Sequence, residues 1–374
     1  MIKKICYLDE DGRFGGPQQR MILVAKEINK DKKIKINFLI PNKDTNFFKK
    51  KLNKYKLPYD EKDITRLSLE ITTLIKYLFF FFYEIKIIIS YLKNNHIDIL
   101  QVNSTSQFKG IIASLFLKIK CIWVIEDTNL GYCTKKIFLY LSKISNCKII
   151  YTSKVVKDYY LKNSKINNFK KEIFAPVDSK IFNPRKKYKK LKFKKKEILI
   201  TTISGIVPIK GVENFLTMAK EILKLYSNVQ FLLVGNIVSS QKKYSKKILK
   251  LILEFDIRDF KYIRMSDEVP RILYNSDIFI CTSLSEAGPL TIYEAIKMKV
   301  PIITTNVGAV PQLLKNNISG YIYDPGDVNS LIDNTKKILN KYPNIKFLTK
   351  NADYKSYIFD LSYVTNLYRD IYKN

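Results

Sequence analysis

Two glutamates, Glu286 and Glu294, stand with seven residues between them in the stretch SEAGPLTIYEAIKMK. The run Asp277 to Cys281 ahead of them, followed by Thr282, Ser283 and Ser285, reads as a strand and its exit, which puts Glu286 in a loop. Gly288 and Pro289 then open a helix, with Pro289 at its first position and Leu290 to Met298 continuing it, so Glu294 rides on the helix. The free amides of Leu290 and Thr291 and the helix dipole favour a phosphate between the two carboxylates. A phosphate flanked by hydroxyl-binding carboxylates suggests a nucleotide sugar. Taken alone, the pair is read more simply as a solvated loop residue and a surface helix residue.

The elements that must position such a site are bounded by composition. The chain has 374 residues, 46% of them hydrophobic, enough to bury one or two cores, and two domains is the better fit to that length. A net charge of +32 implies attraction to nucleic acid, acidic lipid headgroups or phosphorylated substrates. The joint abundance of Lys, Ile, Asn, Phe and Tyr also fits a codon bias, which would make part of that charge compositional. The five cysteines, Cys6, Cys121, Cys133, Cys147 and Cys281, are odd in number and lack metal-ligand spacing, which argues against a disulfide framework or a zinc site and for a cytoplasmic chain. Met1 to Leu8 is too short for a signal peptide and leads into Asp9, Glu10 and Asp11. The most apolar segment, residues 71 to 92, carries Lys76, Glu84 and Lys86, so it reads as a long helix covering a sheet rather than a membrane span. A secondary reading lays its aromatic surface on a membrane plane.

Short β-type runs alternate with helical patterns, the signature of open parallel sheets covered on both faces. The first unit has predicted strands at residues 2–8, 35–40, 97–102, 121–125 and 148–151. The second has them at 198–203, 229–234, 260–264, 277–281, 300–304 and 320–323. Between them RKKYKKLKFKKKE, residues 185–197, reads as a solvated linker whose lysines could also meet anionic lipid. Ligands of doubly wound sheets sit outside the carboxyl ends of the strands. That rule collects Gly15 and Gly16, Glu126 and Asp127, Ser204 to Gly211, Gly235, and Glu286 to Thr291 at strand exits.

These segments resemble, along nearly the whole chain, the family 4 retaining glycosyltransferases of the GT-B fold, of the glycosyltransferase group 1 type. The carriers are the Glu286 and Glu294 motif, KMKVPIITTNVGAVPQLL and ISGYIYDPGD after it, and FGGPQQRM, IIYTSKVVKDYY and FAPVDSKIFNP in the other half. The resemblance implies two Rossmann-like domains facing a cleft. Residues 1–182 would bind the acceptor, 183–350 would bind the donor, and a C-terminal helix in 351–374 would return towards the first domain. It implies that Glu286 contacts the donor sugar hydroxyls, Glu294 the ribose, and the Gly288, Leu290 and Thr291 region the diphosphate. Lys210 would stabilise the leaving group, an electrostatic and catalytic role. Ser204, Gly205 and Gly235 would line the donor pocket, and the nucleobase would lie near Arg264 to Ser266. Gly16 would let the backbone approach the phosphates, and Gly15, Glu126 and Asp127 would meet the acceptor. The implied ligands are a nucleotide-diphosphate sugar and a glycan or glycolipid acceptor, with an anionic membrane surface as a further partner, no specific nucleic acid, no metal and no other cofactor. Family-level expectation adds polysaccharide or lipopolysaccharide biosynthesis at the cytoplasmic face of a membrane.

The chain departs from this family in two places. Gly205 stands where an Arg usually precedes the Lys by five residues, and Glu126 stands where many relatives have His. Gln312 replaces a frequent Glu. His96, the one histidine, precedes a strand and reads as a surface residue. Asp9 and Asp11 read as acceptor contacts before they read as a metal pair. A nucleotide-sugar epimerase of similar architecture and a nucleotide-sugar-binding protein with weakened catalysis are the alternative functions.

Overall fold

The computed structural model describes residues 2–128, 130–145, 147–162, 166, 170–191, 198–238, 241–256, 258–264, 268–353 and 355–373. The chain divides into two compact units, Met1–Pro176 with Leu361–Asn374, and Val177–Asp360. The division falls at Pro176 rather than residue 182 and at Leu361 rather than residue 351. The reason is local: Val177 N–H donates to the Phe359 carbonyl (2.7 Å), so the segment after Pro176 is bound to the turn ahead of Leu361.

The first unit contains β1 (Lys3–Leu8), β2 (Ile34–Pro41), β3 (Tyr59–Lys62), β4 (Ile99–Asn103), β5 (Lys120–Ile125), β6 (Lys148–Tyr151) and β7 (Lys170–Glu172), all parallel in the order 3-2-1-4-5-6-7. Its central strands are buried along nearly their whole length, as helices on both faces require. The sequence reading missed β3 and β7, YDEK and KKE. These are short edge strands whose charges discourage further pairing, so they show no apolar alternation.

The second unit contains β8 (Ile198–Ile203), β9 (Val229–Val234), β10 (Phe260–Ile263), β11 (Ile278–Cys281), β12 (Ile302–Thr305) and β13 (Tyr321–Tyr323), parallel in the order 10-9-8-11-12-13. In each sheet the strand order reverses once, between β1 and β4 and between β8 and β11. Crevices open at such reversals because the crossover helices leave to opposite faces. The linker expected at 185–197 lies in part, 192–197, outside the described residues.

Candidate functional site

At the reversal of the second sheet, the loop after β8 meets the loop after β11. Pro208–Lys210 forms a 3-10 turn that Gly211 ends in the left-handed region, φ 59°. A side chain at Gly211 would run into the Thr282 carbonyl, so glycine is what lets the two loops close on each other. Leu284 N–H donates to the Ile209 carbonyl (2.8 Å) and the Thr282 hydroxyl to the Lys210 carbonyl (3.0 Å). The Lys210 ammonium thereby reaches Glu286 Oε1 in a hydrogen-bonded ion pair, and the Ser283 hydroxyl donates to the same oxygen at 2.9 Å. Lys210 and Glu286 keep 28% and 15% of their side-chain surface, so both remain open to a ligand.

The helix Leu290–Lys297 follows, with Pro289 as its N-cap rather than its first residue. The difference is one position and leaves Leu290 and Thr291 as first-turn residues whose amides have no carbonyl a turn earlier inside the helix. Glu294 lies in the middle of this helix, partly exposed. Burial pushes its carboxyl up to about 8, with no neighbouring charge among the described residues to offset the effect. Gly288 leads into the same helix start.

The remaining residues expected to bind the donor leave strands at the same edge of the sheet. Ser204 and Gly205 leave β8, with Ser204 N–H donating to the Val234 carbonyl (2.9 Å). Gly235 leaves β9 and backs so closely on Ser204 that a side chain there would strike its carbonyl. Arg264 leaves β10 and is exposed. The remainder of the expected nucleobase segment, Met265 and Ser266, lies outside the described residues.

In the first unit, the reversal brings the loop after β1 to the loop after β4. Asp9 is buried and its carboxyl is raised to about 6 by that burial. Its oxygens accept from Asp11 N–H (2.8 Å), Gln18 Nε2 (2.6 Å) and Gln107 Nε2 (3.0 Å). Asp11 pairs with Arg13 (2.6 Å). Asp9 therefore holds the glycine loop in place, and the expectation of an open acceptor contact there is corrected by its burial and saturation, while Asp11 keeps 31% of its side-chain surface. Among the described residues no group of three His, Cys, Asp or Glu side chains could hold a metal ion.

Gly15 and Gly16 open the helix Gly16–Ile28 and are exposed; a side chain at Gly16 would meet nothing within 4 Å. Packing does not demand glycine at Gly16. Glu126 and Asp127 leave β5. Asp127 accepts from the Tyr160 hydroxyl (2.9 Å) and the Thr105 hydroxyl (3.2 Å). Glu126 lies 3.5 Å from Arg20, the two side chains being 9% and 2% exposed. Burial raises the Glu126 carboxyl and Arg20 opposes that shift. Arg20 in turn donates to the Tyr368 hydroxyl of the helix Leu361–Lys373, whose Tyr372 shares a 2.5 Å hydrogen bond with Tyr7. Sequence reasoning missed Arg20; its signal is a lone cation in the second turn after Gly16, ahead of the apolar run MILVA.

Residues 184–355 match the family model described as glycosyl transferases group 1. An Escherichia coli UDP-Gal:alpha-D-GlcNAc-diphosphoundecaprenol alpha-1,3-galactosyltransferase is 29% identical over 189 residues, 48% of this chain and 46% of that protein. The chain thus spans about half the length of that relative. An uncharacterized glycosyltransferase of Haemophilus influenzae is 23% identical over 354 residues, 91% of each chain. Among solved structures, a glycosyltransferase from Rickettsia africae aligns with a TM-score of 0.81 at 20% identity, covering 100% of this chain and 98% of that one. Anabaena Alr3699/HepE in complex with UDP and glucose aligns with a TM-score of 0.80 at 15% identity, covering 100% of both. The fold is GT-B, two Rossmann-like parallel-sheet domains.

Proposed function

From the match of residues 184–355 to the group 1 glycosyl transferases, we propose an enzyme that moves a hexose-type sugar from a nucleoside-diphosphate sugar to an acceptor hydroxyl with retention of anomeric configuration. The observation that carries this reading is the Lys210–Glu286 pair at the β8/β11 reversal, beside the amides that open Leu290–Lys297. An ammonium next to free amides suits a diphosphate, and a partly open carboxylate suits sugar hydroxyls. In the reaction the bond from the anomeric carbon to the diphosphate oxygen breaks, and its electron pair stays on the phosphate. The acceptor oxygen bonds the anomeric carbon on the same face, and its proton passes to the leaving phosphate oxygen. Lys210 and the amides stabilise the charge that develops there. UDP is the preferred donor nucleotide, by analogy with the names of the galactosyltransferase and of the UDP complex. A glycan or glycolipid acceptor, used in surface-polysaccharide synthesis at an anionic membrane face, completes the reading. The test is a UDP-sugar panel with lipid-linked and free saccharide acceptors, reading released nucleotide and the product anomer. Absence of nucleotide release with every acceptor, with Glu286→Ala binding donors unchanged, would overturn it.

Glu294 makes the donor affinity depend on pH. Between the ordinary value of 4.5 and about 8 the free protein holds this carboxyl protonated. The ionised form accepts hydrogen bonds from both ribose hydroxyls, so binding below about pH 8 must expel the proton. UDP binding followed by calorimetry should tighten roughly fiftyfold from about pH 6 to about pH 8, with proton uptake by the buffer, and Glu294→Gln should flatten the profile. The linkage also acts on folding: the native state binds this proton more tightly than the unfolded chain, so its contribution to stability is lost as pH rises from 4.5 through about 8. A pH-independent affinity in the parent protein would exclude the ribose role.

A further inference from the structure

The helix Ile71–Asn94 has two apolar faces. Tyr77, Ile85, Ile88 and Leu92 turn inward with the buried Glu84, which takes the Lys109 ammonium at 2.5 Å. On the other side Ile71, Ile75, Leu78, Phe79 and Phe82 are 73, 61, 64, 80 and 76% exposed. Their spacing, i, i+4, i+7, i+8 and i+11, makes one continuous stripe at the helical period. At about 1.5 Å of rise per residue the stripe is roughly 16 Å long. Leu69, 98% exposed, extends it at one end, and Phe116, 73% exposed, lies on the helix Phe108–Leu117 packed alongside. Lys76 and Lys86 are exposed on the same helix.

An apolar stripe of this length facing water marks an interaction surface. No described helix is long and apolar enough to cross a membrane, so the stripe is suited to lie along an interface. A second copy of the chain is the poorer occupant, because it would bring one net charge of +32 against another. A bilayer with anionic headgroups accepts both features. Phenylalanine rings seat at the boundary between headgroups and acyl chains while lysines meet the negative surface. We propose that the stripe from Ile71 to Phe82 is a docking face for an anionic lipid bilayer, on which this unit lies with Phe79 and Phe82 inserted. This inference rests on the membrane placement of the proposed function, but its test reads binding without turnover, so either can fail while the other stands.

The experiment sediments the purified chain with vesicles of phosphatidylcholine and phosphatidylglycerol, and with vesicles of phosphatidylcholine alone. The parent should bind the anionic vesicles and lose affinity as salt rises. Phe79→Ser with Phe82→Ser should lower that affinity about tenfold or more with an unchanged melting temperature. Leu253→Ser, at an 84% exposed site in the other unit, should leave it unchanged. Equal binding by the parent and the double variant would overturn the proposal, as would an equal loss in Leu253→Ser. Concentration-dependent dimers that the double variant abolishes, with no vesicle binding by the parent, would assign the stripe to a second copy and overturn it too.

Discussion

Lys210→Ala is expected to lower kcat/KM for sugar transfer by about 100- to 1000-fold, the range for removing one fixed group that stabilises developing charge. The loss is placed at the high end by what the lysine leaves behind. Glu286 takes Lys210 and the Ser283 hydroxyl on one oxygen, and without the ammonium its negative charge faces an incoming diphosphate uncompensated. UDP affinity should therefore fall together with turnover. Lys210→Ala combined with Glu286→Gln should restore UDP binding towards the parent, because the repulsion is gone, while turnover stays low, because the cation is still missing. Calorimetry of UDP and the rate of nucleotide release measure the two arms separately. Near-normal turnover in Lys210→Ala would remove this residue from the mechanism.

Gly205→Arg is expected to raise kcat by about tenfold. A charge-assisted hydrogen bond contributes roughly 1.5 to 3 kcal/mol, and about 1.4 kcal/mol is a factor of ten in rate. The site can receive the side chain. Gly205 leaves β8 five residues before Lys210, does not have a left-handed φ, and a Cβ placed there meets nothing within 4 Å. Lys210 and the amides of Leu290 and Thr291 are then joined by a second cation on the leaving phosphate. An unchanged or lower kcat in a variant with the parent's melting temperature would mean that diphosphate charge is already balanced in the present protein.

The placement of the second unit's candidate residues was legible because they are local. Glu286, Gly288, Leu290, Thr291 and Glu294 lie within one strand exit and one helix, so periodicity and turn residues place them within a position of where they are found. Pro289 moved from first helical residue to N-cap, an ambiguity that a proline's fixed φ cannot resolve, since both positions accept it. The placement of the first unit's candidate residues was legible only in part. Glu126 and Asp127 stand at a strand exit as expected, but their partners Arg20, Tyr160 and Thr105 come from other elements, and nothing in the local pattern pairs them. Asp9 and Asp11 looked available from their spacing alone. Burial and the amides of Gln18 and Gln107 gave Asp9 a structural task instead, while Asp11 stays partly exposed beside Arg13.

By itself the sequence determined the alternation of strand and helix, the two parallel sheets and the residues that leave their carboxyl ends, because those follow from short-range periodicity and from glycine and proline chemistry. Tertiary structure alone decided which exits meet. Strand order reverses at β8/β11 and β1/β4, and that order depends on packing between segments far apart in the chain. It also decided that Lys210 rests on Glu286, 76 residues away, and that Arg20 donates to Tyr368, 348 residues away. It turned one face of Ile71–Asn94 inward around Glu84 and left Phe79 and Phe82 in water. A helix with apolar residues on both sides offers either face to a core, and only the neighbour it packs against selects one.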